Sequence, residues 1–164
     1  MKKVAIIMGS DSDLPVVEKG IAVLAGYGIP YEVHVYSAHR TPIEAAEFVR
    51  GARGAGFGVM IAAAGMAAHL AGAVAANTTL PVIGIPISSK NTGGMDALLA
   101  TVQMPSGMPV ATVAIDGAAN AALLAVEILA LSEPELAEKL SAARIAGKER
   151  VLMRDREVAE KFNA

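Results

Sequence analysis

The sequence predicts an α/β fold in which parallel strands are joined by crossover helices, and three observations carry that expectation. Its 164 residues fit one domain, long enough to bury roughly two-thirds of the unfolded surface around a core. Short apolar runs alternate with longer segments of helical period, the pattern of repeated strand–helix–strand units. The composition is 54% hydrophobic but only 4% aromatic, with 16 glycines, which suits helices laid closely on a sheet.

Strands are expected over residues 4–8, 31–36, 58–63, 81–85 and 110–115, and helices over 13–26, 42–55, 67–77, 96–103 and 117–131. The first apolar run, 4–8, closes on MGSDSD (8–13), which opens a segment of helical spacing. Gly26 and Gly28, around Tyr27, mark the end of that first helix. Thr41-Pro42 puts a capping hydroxyl ahead of a proline at the first position of the second helix. A last helical segment, 135–162, is the most charged part of the chain. Leu136, Leu140, Ala143 and Gly147 share one of its faces, with Glu138, Lys139, Lys148, Glu149 and Arg150 around them. A helix this long on one domain is expected to pack, over 134–164, on a neighbouring subunit. No repeat, low-complexity tract or linker divides the chain, so 1–164 is read as a single domain.

Several function classes receive no support. The formal net charge is -2 and the basic residues are scattered until the C-terminal segment, so no footprint for nucleic acid or an anionic membrane stands out. The absence of cysteine removes disulfides, thiolate chemistry and cysteine-built metal sites. The first apolar run is too short for a signal-peptide core, and later ones are broken well before the ~18 residues of a membrane span. A soluble, cytoplasmic protein is expected.

In an open parallel sheet, ligands bind beyond the carboxyl ends of the strands, so the informative loops are 9–13, 37–42, 64–72, 86–96 and 116–120. Gly9 and Ser10 permit a tight turn with amides offered to a phosphate, and Asp13 can accept from sugar hydroxyls; Ser10, Ser12 or Asp13 acting only as a helix cap is the competing explanation. Ser37, His39 and Arg40 bring a hydroxyl, an imidazole and a guanidinium together, the last a planar fork matched to phosphate. His69 lies among small residues that let backbone amides approach a ligand, though a histidine on an apolar helix is more often structural. Residues 86–96 are polar and long enough to act as a lid or to be a plain surface loop. Three isolated histidines make no metal set.

With MGSDSD (8–13), SAHRTP (37–42), AGMAAHLAG (64–72) and VQMPSG (102–107) in order, the chain resembles the PurE family of purine biosynthesis over about residues 3–131, in its bacterial N5-carboxyaminoimidazole ribonucleotide mutase branch. The resemblance implies a flavodoxin-like three-layer sandwich with a five-stranded parallel sheet, a homo-octamer with active sites at subunit contacts, and neither metal nor organic cofactor. It implies transfer of a carboxylate from the exocyclic nitrogen of the ribonucleotide to ring carbon C4, giving 4-carboxy-5-aminoimidazole ribonucleotide, through CO2 and aminoimidazole ribonucleotide held in the site. Position by position, Ser10 falls near the phosphate with Gly9, Asp13 near the ribose, Ser37 and Arg40 on the phosphate clamp, and His39 on the catalytic acid/base. Gly65, Ala67, Ala68 and His69 are expected to wall the CO2 side.

Ala63, Met66 and Ala71 stand where the family pattern has Gly, Gly and Pro. They keep open an alternative, an aminoimidazole ribonucleotide carboxylase using free CO2, against which AAHL (67–70) argues. A nonenzymatic nucleotide- or flavin-binding module would explain the first loop but not His39 beside Arg40. A third reading, ribonucleotide binding without turnover, would leave His39 idle.

Overall fold

In the computed structural model, which describes residues 1–163, β1 (Lys3–Met8), β2 (Tyr31–Val35), β3 (Phe57–Gly65), β4 (Val82–Ile87) and β5 (Ala111–Thr112) form one parallel sheet. Its order is β2-β1-β3-β4-β5. The helices are α1 (Leu14–Tyr27), α2 (Pro42–Ala52), α3 (Leu70–Ala75), α4 (Met95–Val102), α5 (Ala118–Ala130) and α6 (Pro134–Phe162). This is the flavodoxin-like order, and the reversal of direction at β1 and β3 opens a crevice at their carboxyl ends.

Strand alternation explains why the apolar runs are continuous. Val4, Ile6 and Met8 of β1 pack with Val17 and Leu24 of α1 and Ala121 and Ala125 of α5. Ala5 and Ile7 point the other way, onto Val49 of α2 and Leu70 and Val74 of α3. Neighbouring β3 does the same, with Val59 and Ile61 on the first face and Met60 and Ala62 on the second. A sheet covered on both faces needs apolar side chains at consecutive positions.

Small residues set how close the layers come. A Cβ on Gly20 of α1 would lie 2.7 Å from the Ala118 carbonyl oxygen, so α1 and α5 touch backbone to backbone there. At the end of α1, Gly28 (φ 73) is left-handed, and the amides of Gly28 and Ile29 donate to the carbonyls of Ala25 and Leu24 at 3.0 Å each. That paired bonding stops the helix and aims the chain into β2.

The structure moves several expected boundaries. α3 begins at Leu70 rather than residue 67, because Met66 (φ 53) and His69 (φ 56) are left-handed and cannot lie inside a right-handed helix. Regular β5 covers Ala111–Thr112 rather than 110–115; beyond it Val113 still donates to the Gly84 carbonyl, and a turn then closes from Gly117 to Ala114. Thr41 precedes Pro42 at the helix start as expected, but its hydroxyl makes no cap bond with α2. It bonds instead to Ser37, accepting from the amide at 2.8 Å and donating to the carbonyl at 3.1 Å.

The C-terminal α6 runs for 29 residues, about 43 Å at 1.5 Å per residue. Leu136 is buried and Leu140 packs against the same core, whereas Ile145, Val151, Leu152, Val158 and Phe162 are exposed. Among the described residues no helix is long and apolar enough to cross a membrane.

Candidate active site

Three strand-end loops meet around a cavity of about 450 Å³. Residues Gly9, Ser10, Ser12 and Asp13 come from the end of β1, Ser37–Arg40 from the end of β2, and Ala64, Gly65, Met66, Ala68 and Leu70 from the end of β3.

The first loop is built as a short 3-10 turn, Asp11–Asp13, ahead of α1. Ser10 caps it, its Oγ accepting from the Ser12 amide at 3.3 Å and lying 2.9 Å from Ser12 Oγ. The cap and the ligand-facing position are thus one residue, because Ser10 also lines the cavity. The Gly9 amide is spent on the Ala63 carbonyl at 3.1 Å, inside the sheet pattern. A Cβ on Gly9 would meet nothing closer than 3.9 Å, so the protein itself leaves the space above it open. Asp13 is 7% exposed, its carboxylate accepting from the Ser12 hydroxyl only at 3.4 Å. Burial pushes this carboxyl above the usual range, against the smaller opposing effects of bonds with Ser10 and Ser12. The carboxyl lines the cavity, where it can accept from a ligand hydroxyl.

The second loop is a hydroxyl-centred turn. Ser37 Oγ accepts from the amides of His39 and Arg40 at 3.3 and 3.2 Å, and the Thr41 amide donates to the Ser37 carbonyl at 2.8 Å. These bonds present the exposed His39 and Arg40 on the rim of the cavity. Arg40 Nη2 donates to the Gly9 carbonyl at 3.2 Å, linking the two loops and leaving further N–H donors of the guanidinium for another acceptor. A cation clamped in this way is pre-oriented for a planar anion.

The third loop is held at both ends. Gly65 pairs with Ile87 in the sheet, and His69 Nδ1 lies 2.6 Å from the Ala100 carbonyl of α4. A carbonyl only accepts, so Nδ1 carries a proton and donates it to Ala100. The ring lies on Gly72, where a Cβ would overlap it. The structure therefore brings Gly65 and Ala68 to the cavity but places His69 against α3 and α4, and Ala67 outside the lining. Ser12, Ala38, Ala64 and Leu70 also line the cavity, and the sequence signal for them is membership in the same strand-end loops; Met66, one of the three departures from the family pattern, lines it too.

The 86–96 segment is stitched at both ends. Ser88 donates its amide to Asp116 Oδ1 at 2.8 Å, Gly93 donates to the Ser89 carbonyl, and Thr92 bonds to Asp96. It is not among the residues lining the cavity. His34 stacks on Tyr36 with ring centroids 5.0 Å apart and tilts against Phe48, a packing role in the sheet edge. Among the described residues no group of three or more His, Cys, Asp or Glu side chains is arranged to hold a metal ion.

Fold and site together define a parallel α/β protein with a crevice at the strand reversal, lined by serine hydroxyls, a guanidinium, a buried carboxyl and an imidazole. A match to the AIR carboxylase family spans residues 3–150, and the chain belongs to that family. An N5-carboxyaminoimidazole ribonucleotide mutase of Pyrococcus horikoshii is 58% identical over 137 residues, covering 84% of this chain and 77% of the relative. One from Methanocaldococcus jannaschii is 50% identical over 159 residues, covering 97% and 99%. The crystal structure of Treponema denticola PurE superposes with a TM-score of 0.83 at 28% identity, covering 98% of both chains.

Proposed function

We propose that this chain is an N5-carboxyaminoimidazole ribonucleotide mutase of purine biosynthesis, with His39 as its proton-transfer group. The observation that carries the reading is that one cavity is lined by His39, Arg40, Asp13 and the small residues Gly65 and Ala68. The mutase relatives at 50–58% identity support the same reaction.

In this reading the phosphate lies at Arg40, Ser37 and Ser10 above Gly9, and the ribose hydroxyls at Asp13. The carbamate C–N bond breaks, its electron pair returns to the exocyclic nitrogen, and CO2 is left beside the ring. His39 supplies the proton that completes the amine. C4 then attacks CO2, and the new C–C bond leaves a proton on C4 whose removal by His39 restores the aromatic ring. One imidazole thus gives and regains one proton, which suits a group whose ordinary pKa lies near neutrality. Holding CO2 against C4 replaces a bimolecular encounter by a local one.

Gly65 and Ala68 wall the CO2 side, and Ala67 lies in the loop between them, outside the lining. His69 acts there through the loop, which it anchors to α4. The exposed apolar positions of α6 support its packing on a neighbouring subunit; in this reading the protein is further taken as a cytoplasmic homo-octamer using neither metal nor organic cofactor.

The test is a matched pair of turnover assays on purified protein. One contains N5-carboxyaminoimidazole ribonucleotide without added bicarbonate, the other aminoimidazole ribonucleotide with high CO2. Efficient turnover of the first substrate is expected; efficient turnover of the second alone, at modest CO2, would make the protein a carboxylase, and none in either would leave a binding module.

A further inference from the structure

Met66 holds a backbone conformation that is unfavourable for its side chain. Its φ of 53° lies in the left-handed region, which glycine enters freely and a residue with a Cβ does not. Its side chain is 62% exposed, yet it lines the cavity that holds His39 and Arg40. The other lining residues are glycine, alanine, serine or polar, apart from Leu70, which is 2% exposed and fixed in the core. Met66 therefore carries the one long apolar side chain of the lining that is free to change rotamer, and a thioether chain adapts readily to an irregular surface. Its backbone is anchored on both sides, by Gly65 paired with Ile87 and by His69 bonded to Ala100. Closure needs only the side chain to move.

We propose that Met66 is the cap of the site, folding over the imidazole of the bound ribonucleotide to keep CO2 in and water out between bond cleavage and recapture. The inference rests on the mutase reading. CO2 has no charge and no hydrogen to donate, so little but shape and exclusion holds it once the carbamate bond is broken. A mobile apolar chain above a wall of small residues supplies both.

The experiment follows N5-carboxyaminoimidazole ribonucleotide turnover by wild type, Met66→Gly and Met66→Leu, and reads the ratio of aminoimidazole ribonucleotide released to carboxylated product formed. Met66→Gly is expected to raise that ratio about fivefold or more, the scale of uncovering one or two methylene-sized groups. Met66→Leu is expected to stay close to wild type. Glycine suits the backbone at this position, so misfolding is not the anticipated outcome. A second readout uses 13C-methyl methionine, with the Met66 resonance assigned by its loss in Met66→Gly. It should be mobile in the free protein and become ordered when aminoimidazole ribonucleotide is added. Turnover with an unchanged ratio in Met66→Gly overturns the cap alone, as does a methyl already ordered without ligand, which would place Met66 against a neighbouring copy. No turnover by the wild type overturns the mutase reading and the cap with it.

Discussion

The contact between Gly72 and the His69 ring makes a prediction whose sign reverses with its neighbour. Gly72 lies inside α3 with ordinary helical geometry, where alanine should stabilise by up to about 1 kcal/mol. A Cβ there, however, occupies the space of the imidazole, and the three nearest atoms it would meet all belong to that ring. Moving the ring breaks the bond from Nδ1 to the Ala100 carbonyl, worth about 0.5–1.5 kcal/mol net. It also forces an off-rotamer side chain, costing roughly another 0.5–1.5 kcal/mol. Gly72→Ala alone should therefore destabilise by up to about 2 kcal/mol. In a His69→Ala background the clash is gone, and the same substitution should stabilise by up to about 1 kcal/mol. The coupling between the two positions should be about 1–3 kcal/mol. Urea unfolding of the four proteins at one protein concentration measures it, since assembly would otherwise shift apparent stability. An equal effect of Gly72→Ala in both backgrounds would refute the placement of His69 on α3.

Other substitutions test the roles of the remaining loops. Asp13→Asn should make the free protein more stable at neutral pH while weakening aminoimidazole ribonucleotide binding at least about tenfold, read by thermal unfolding and calorimetry. Because burial raises the Asp13 pKa above its unfolded value, the cost of its charge is absent below the usual aspartate range. It grows as pH rises through the folded pKa, so the stability gain of the Asn variant should vanish on acidification. Arg40→Ala should weaken ribonucleotide binding by about 10- to 150-fold, the value of a charge-assisted bond. His39→Asn should keep binding within about threefold and lower turnover by about 10²–10⁴, so equal binding losses in both would undo this division of roles. Gly94→Ala should destabilise by about 1–3 kcal/mol in urea unfolding, since φ is 94° and a Cβ would stand 2.8 Å from Ile115 Cγ2.

What could be read from the sequence is what local chemistry decides. The apolar run 4–8, the glycines around Tyr27 and the Thr41-Pro42 pair marked a strand, a helix end and a helix start because each signal acts within a few residues. SAHRTP stands out as a candidate site loop from its residue types, and the structure supplies the Ser37-centred turn that presents them. The burial of Asp13 was not legible, because it depends on how α1 meets the end of β1 in three dimensions. The direction of the His69 ring was hidden too: its partner, Ala100, lies 31 residues away on α4, and the vacancy it fills is the missing side chain of Gly72. The late start of α3 follows from left-handed residues at Met66 and His69, a conformation that their identities do not announce.

The most direct test of the central claim is the fate of a labelled carboxylate. N5-carboxyaminoimidazole ribonucleotide carrying 13C in the carbamate would be given to wild type and to His39→Asn in unlabelled bicarbonate, and the product read by mass spectrometry. Wild type should place most of the label on C4, and the His39 variant should form product far more slowly. Product that carries unlabelled carbon from the medium, or forms at the wild-type rate without His39, would contradict that claim.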